Sequence, residues 1–358
     1  MSGFLRPDGR KGIRNRVLIA YTVDCARHVA EEIAEPFRDR GVRVIGFPNC
    51  YPSPYGQRML LSLATHPNVG AALLVSLGCE SFRKQPLAQA VAASGRPTEL
   101  LTIQKAGGTR ATIAAGGAWV ENALAQIEGA ARAPVPLPDV LVGVLPGEGS
   151  AATCRILGGM IDRLIASGAS IVIDDLSKDR HLASYAADRS VAAQLAAMAG
   201  RAQLSREAIG DAGLEIGSGG VWAGAARIAG LVRPAERPTA PGLHLLDNVP
   251  DGPPRYGSFD VDPYLEMAEL ASCGAQLILA GCGRSALPVD SSVAPVLRVC
   301  AEAVTDTDDI DVVDDGADIL DCIAATLGGA ATAAERQGDY AFTLIHKHFE
   351  PAPAPAEG

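Results

Sequence analysis

The sequence predicts an α/β protein built as two lobes of mostly parallel sheet flanked by helices, with an active site at strand C-terminal ends between the lobes. Three observations predict it. Short, uniformly apolar runs recur along the chain, as strands buried on both faces do. Each run breaks at Gly, Cys or Asp, usually before a segment with helical spacing. The 358 residues also exceed the roughly 250–300 at which one core stops growing, so two domains are expected.

Residues 70–81 (GAALLVSLGCES) organise the rest. Ala71, Ala72, Leu73, Leu74 and Val75 form a run too short for a helix and too apolar for a half-exposed strand. The run stops at Gly78 and delivers Cys79 and Glu80, side chains able to bind a metal or move a proton. Ligands of open α/β sheets bind just beyond the carboxyl ends of strands, so chemistry is expected there first. Four other runs share the pattern. Residues 16–25 end in Asp24 and Cys25, and 140–150 in a glycine turn carrying Glu148. Residues 169–175 end in Asp174 and Asp175, and 275–285 in Cys282 and Arg284.

In chain order, residues 1–15 are polar and basic, an arm or loop before the first strand. Helical spacing over 24–40 leads to a strand at 42–47, the loop FPNCYPSPYGQ, a helix over 58–64 and a turn at 65–68. After the organising strand come a helix over 86–93, a strand over 99–103, the glycine loop KAGGTR and an Ala-rich helix to about 131. Three prolines within 131–139 mark a linker. The expected division is an N-terminal α/β domain over 1–131, a linker over 132–138, a C-terminal α/β domain over 139–349 and a disordered tail over 350–358. Within the second half, helices are expected over 183–212, 262–272, 295–303 and 319–327, and strands at 169–174, 244–247 and 276–280.

The formal net charge is −10 and no Lys/Arg-rich stripe is present, which argues against nucleic acid as a partner. Eight dispersed cysteines without a CxxC pair, behind an N-terminus lacking an apolar leader core, suggest reduced thiols and a cytoplasmic protein. No apolar run approaches the roughly 18 residues that would span a bilayer.

Each chemical candidate has a structural reading beside the functional one. Cys79 and Cys25 are either metal ligands or small packed thiols. Glu80 is either an acid–base group or a carboxylate at a helix start. Gly107 and Gly108 with Thr109 and Arg110 can present N–H groups and a guanidinium to a substrate carboxylate, or only begin a helix. Gly147, Gly149 and Ser150 can hold an anion, and Glu148 among them suits a cation. His28, at i, i+3 from Cys25, is a candidate base. Arg284 is a candidate carboxylate clamp. Asp24 reads as a helix cap, His66 as a turn former, and His346 and His348 as part of a frayed tail.

RPDGRKGIRN (6–15) precedes a strand ending VDCA (23–26), and HPN (66–68), LGCE (77–80) and TIQKAGGT (102–109) follow. In that set and order the chain resembles the altronate and galactarate dehydratase family, strongly over about residues 6–115 and more loosely to about 325. The looser part rests on the turn at 147–150, GSGGVWAG and GCGRS…VAP. The resemblance implies a metal-dependent lyase, with Fe2+ the usual metal, that removes water from a sugar acid or sulfite from sulfolactate to give a 2-oxo acid. Cys25, Cys79 and Glu80 match the family's motifs, and Cys50, Glu148 or Cys282 are the candidates to substitute for family ligands that are absent; the expected metal set is Cys25, Cys79 and Glu148, and the expected catalytic groups are Glu80, His28 and Arg284. The family's small N-terminal module is not seen before RPDG, so a separate small subunit is an expected partner, beside a hydroxy-acid substrate and further copies of the chain.

The chain departs from the family at three places: FPNCYPSPYG replaces a HGSGCG-like loop, Pro146-Gly147-Glu148 a Cys-Gly-Gly turn, and SSVAP a GCKPAP stretch. A non-catalytic binding subunit that has lost the metal site is therefore the alternative. A nucleotide-binding α/β protein ranks last, because no GKS/GKT is present and the GEGS turn holds no complete GxGxxG.

Overall fold

The computed structural model describes residues 1–147, 150–175, 177–209, 225–251, 262–282, 290–301, 310–313, 319–338 and 340–347. Strands β1 (Ser2–Leu5) and β2 (Lys11–Gly12) precede β3 (Arg16–Tyr21), all six residues of which are buried. Helix α1 (Arg27–Ala34) leads through a left-handed Gly41 into β4 (Val42–Gly46). Helix α2 (Pro54–Ala64) starts before the expected residue 58, because Ser53 caps it by accepting from the Gly56 N–H and Pro54 suits the first turn. Then come β5 (Val69–Ser76), α3 (Lys84–Ala93), β6 (Thr98–Thr102), α4 (Thr109–Glu128) and β7 (Arg132–Pro134).

The second half runs through β8 (Leu141–Leu145), α5 (Ala151–Ala166), β9 (Ser170–Ile173), α6 (Arg189–Ile209), β10 (Ile228–Val232) and β11 (Leu243–Leu246). Helix α7 (Pro263–Ser272) and β12 (Leu277–Gly281) follow, with β13 (Asp290–Ser291), β14 (Val296–Cys300) and β15 (Val312–Val313) after them. Helices α8 (Ile319–Leu327) and α9 (Ala333–Gln337) and strand β16 (Tyr340–Ala341) close the described chain.

Two sheets are wholly parallel. The first has the order β4-β3-β5-β6, the second β10-β11-β9-β8-β12-β14-β15. Helices α1 and α4 cover the outer face of the first sheet, and α5, α6 and α8 that of the second. Between the sheets, α2 and α3 from one lobe meet α7 from the other in a shared core that includes Leu18, Phe47, Leu63, Leu145, Leu265 and Ile278. The apolar interior therefore runs from one lobe into the other.

Three expectations are corrected. The residues expected as a helix at 295–303 form β14, since VLRVC is fully buried and pairs with β12 on one side and β15 on the other; a short apolar run with β-branched residues looks the same from either reading. The N-terminal arm is not loop only: β1 pairs antiparallel with β2 and with β7, which lies inside the proline-rich linker. The tail is not frayed up to residue 347, as the site shows. Among the described residues, no helix is long and apolar enough to cross a membrane.

Candidate active site at the strand switch points

In each parallel sheet the direction of winding reverses once. Successive strands diverge from β3 to β4 on one side and β5 on the other, and from β8 to β9 and β12. The crevices beyond the carboxyl ends of β3/β5 and β8/β12 are the places where such sheets bind ligands. Val23–Cys25 and Leu77–Glu80 stand at the first, Gly147 and Cys282 at the second.

Backbone hydrogen bonds tie the loops of the first crevice together. The Thr22 N–H donates to the Val75 carbonyl at 3.0 Å, Phe47 to Tyr21 at 3.0 Å, Gln104 to Leu77 at 3.1 Å and Ser81 to Cys50 at 2.9 Å. The loops after all four strands thus share one edge. Cys25, Cys50 and Cys79 are exposed there.

Glu80 faces the other way. Its side chain is fully buried, and Oε1 accepts from Ser76 Oγ at 2.5 Å, Thr22 Oγ1 at 2.7 Å and Lys84 Nζ at 3.3 Å. Oε2 accepts from the Gly78 N–H at 2.7 Å. Burial alone would raise its pKa; the hydroxyl and amide donors outweigh burial and bring it down to about 2. The acid–base role expected for Glu80 does not fit a carboxylate so fully engaged. It fits a residue that fixes the shape of the Cys79 loop. Thr22, Ser76 and Lys84, which hold it, carried no separate signal in the sequence.

Gly107 (φ +92°) and Gly108 (φ +93°) both lie in the left-handed region, where a side chain would be strained. Gly108 is the N-cap of α4 and has no side chain to satisfy the first-turn N–H groups, which leaves them open to an anion beside the exposed Thr109 and Arg110. His28 is exposed in the first turn of α1, and Asp24 opens a short 3-10 turn capped at Val23 without a side-chain bond, so it is not the cap expected. At the second crevice, Gly147 (φ +57°) lets the chain pass the Gly281 carbonyl, which a Cβ would meet at 2.8 Å. Ser150 Oγ is the N-cap of α5, accepting from Thr153 N–H at 3.2 Å. Glu148, Gly149, Arg284 and His348 lie outside the described residues.

The structure adds a group of residues at the carboxyl ends of β9 and β11. Asp174 accepts from Lys178 Nζ and, at 3.0 Å, from Asn248 Nδ2. Asn248 Nδ2 also donates to Glu269 at 2.9 Å, and Glu269 accepts from Tyr55 OH and Lys347 Nζ at 2.6 Å each. All are buried, with Asp174, Lys178 and Glu269 at no more than 1% exposure. Two lysines balance two carboxylates, as burial demands. A third carboxyl, Glu266, is buried with them. Burial first, then repulsion from Asp174 and Glu269, pushes its pKa well above the ordinary range against the opposing pull of the two lysines. Its neutral form is thereby favoured over what an exposed glutamate would show. Asn248 Oδ1 is buried with no partner among the described residues. Only Asp174 carried a signal in the sequence, as one of a pair at a strand end.

The C-terminal segment links the first crevice to this buried group. His346 Nε2 meets the Tyr51 carbonyl at 2.7 Å and its ring stands edge-on to Phe47, while the next residue, Lys347, pairs with Glu269. His66 does fix a turn: Nδ1 accepts from the Asn68 N–H at 3.0 Å and Nε2 bonds the Ala275 carbonyl across the lobes at 3.0 Å. Among the described residues no three His, Cys, Asp or Glu side chains gather as a metal site. Cys25 and Cys79 stand on adjacent loops, Glu80 is engaged elsewhere, and Cys282 is buried. Glu148, which completes the expected metal set, lies outside the described residues.

Residues 3–128 match the family model of the second domain of D-galactarate dehydratase/altronate hydrolase. The chain is 27% identical to altronate dehydratase of Bacillus subtilis over 193 residues, 49% of this chain, and it spans 38% of that protein's length. It is 23% identical to the (2R)-sulfolactate sulfo-lyase subunit beta of Chromohalobacter salexigens, with 96% of both chains covered. Among solved structures, E. coli heptosyltransferase WaaC with ADP aligns at 11% identity over 90% of this chain and 96% of that one, with a TM-score of 0.19, too low to bear on fold.

Proposed function

We propose that the chain, which resembles the altronate/galactarate dehydratase family over residues 3–128, is a lyase that removes water, or a sulfonate group as sulfite, from a small 2-hydroxy acid to leave a 2-oxo acid. The α-proton of such an acid is weakly acidic, and its loss puts a second negative charge on the carboxylate. N–H dipoles or cations must meet that charge, a base must take the proton, and an acid must protonate a departing β-hydroxyl. The enol left behind ketonises to the 2-oxo acid.

The observation that carries this reading is the buried carboxyl of Glu266 gathered with Asp174, Glu269 and two buried lysines at the carboxyl ends of parallel strands. In the proposal Glu266 protonates the leaving hydroxyl. Lys178 stabilises the developing charge, the open N-terminus of α4 with Thr109 and Arg110 receives the carboxylate, and His28 is the base. A separate small subunit completes the enzyme, in keeping with the relative named as a subunit beta.

The test is formation of 2-oxo acid from a panel of sugar acids and sulfonated hydroxy acids, by anaerobically purified protein with and without added ferrous ion and small subunit. Turnover is expected, and Glu266→Gln should lower it about 100-fold with the circular dichroism unchanged. Binding of these acids without turnover under every condition would instead establish the non-catalytic subunit.

A further inference from the structure

At the opposite end of the sheets lies a cleft of about 590 Å3 that the proposed reaction does not use. It is lined by the segments that start β8 and β9, by Pro67 just before β5, by the RPDG loop and by residues 237–241. Strand β5 has eight residues, so the cleft and the Cys79 loop are separated by about 26 Å of strand. Its size is that of a small-molecule site.

Its charge is one-sided. Arg10 comes from the N-terminal lobe, and Arg237, exposed in the cleft, from the C-terminal lobe. Arg10 Nη2 donates to Asp8 at 2.7 Å and to the Thr65 carbonyl at 2.5 Å, but Nη1 is buried with no partner among the described residues. Arg237 has neither a hydrogen bond nor an ion pair among the described residues. Asp8 is shared between Arg10 and Arg96, at 2.7 and 3.0 Å, and Lys11 pairs with Asp139 at 2.6 Å. Three cations, Arg10, Lys11 and Arg237, therefore line the cleft with one carboxylate, Asp139. Partial burial and then the repulsion of Arg10 lower the pKa of Arg237 against the opposing pull of Asp8. Ser170 and Thr239 add hydroxyls to the lining.

We propose that this cleft binds a small, multiply charged oxyanion, held between Arg10 of one lobe and Arg237 of the other. Phosphoryl and carboxylate ligands share that chemistry. Because the anion bridges the lobes, its binding stabilises the folded chain. The site stands independently of the lyase reading.

Calorimetric titration of the full chain with inorganic pyrophosphate and with citrate tests it. One or both should bind and raise the melting temperature; the tighter of the two identifies a phosphoryl or a carboxylate ligand. Arg237→Ala removes no folded-state partner and should weaken binding about tenfold or more. Arg110→Ala, at the competing anion site on α4, should leave it unchanged. Binding of neither probe, or a loss that follows Arg110→Ala and spares Arg237→Ala, would overturn the proposal.

Discussion

Glu80 and Glu266 are both buried carboxyls, and their surroundings shift their pKa values in opposite directions. Glu80 has a hydroxyl on either side, an amide and an ammonium; Glu266 has two carboxylates nearby. The sign of each pH effect follows. For Glu80 the folded pKa, about 2, lies below the ordinary value of 4.5, so its stabilisation is present above pH 4.5 and is lost as pH falls toward 2. Glu80→Gln should cost about 2 kcal/mol at pH 7, and urea unfolding at pH 7 and pH 3 should show the gap between variant and wild type shrinking in acid. For Glu266 the folded pKa is raised, so its cost grows as pH rises above the ordinary carboxylate range. Glu266→Gln removes that cost. The variant should be as stable as the wild type or more so at pH 8, while losing activity. Neither fate was legible in LGCE or in YLEMAEL, because the partners that decide them lie on other strands.

At the level of elements, the strand–turn idiom was readable because uniformly apolar runs and their Gly, Cys or Asp endings are local properties. Strands β3, β5, β8, β9 and β12 all stand where the runs predicted them. Strand β14 was misread because Val296–Cys300 has no periodicity to separate strand from helix. Strands β1 and β7 depend on pairing across more than a hundred residues, which no local pattern reveals. The glycines differ in the same way. Gly147→Ala would place a methyl 2.8 Å from the Gly281 carbonyl at a positive φ, and should destabilise the chain by about 2 kcal/mol or more. Gly117→Ala, in mid-helix with open space around its Cβ position, should stabilise by about 0.5–1 kcal/mol. Thermal melts of the two variants should move in opposite directions.

On the scale of the whole molecule, the lobes are joined by polar residues far apart in sequence. Arg16 at the start of β3 pairs with Asp290 at 2.9 Å and with Glu335 at 2.8 Å, and Arg14 pairs with Glu335 at 2.6 Å. Tyr55 and Lys347 close on Glu269 from the N-terminal lobe and the C-terminal segment. These partners could not be found from sequence, since each is a lone charge in an ordinary local setting. Lys347→Met would leave Glu269 with Tyr55 and Asn248 as its remaining partners, and should cost about 3–5 kcal/mol in denaturant unfolding. The same change should lower activity, because the C-terminal segment ties the exposed cysteine loops to the buried cluster.

The most direct measurement is exchange of the substrate α-proton in deuterated water, followed by NMR alongside 2-oxo acid formation. Wild-type protein should exchange and eliminate, whereas Glu266→Gln should still exchange the α-proton but release a β-hydroxyl about 100-fold more slowly. Elimination by Glu266→Gln at the wild-type rate, or no exchange by the wild type with any acid of the panel, would contradict the assignment of this buried carboxyl as the acid of a lyase.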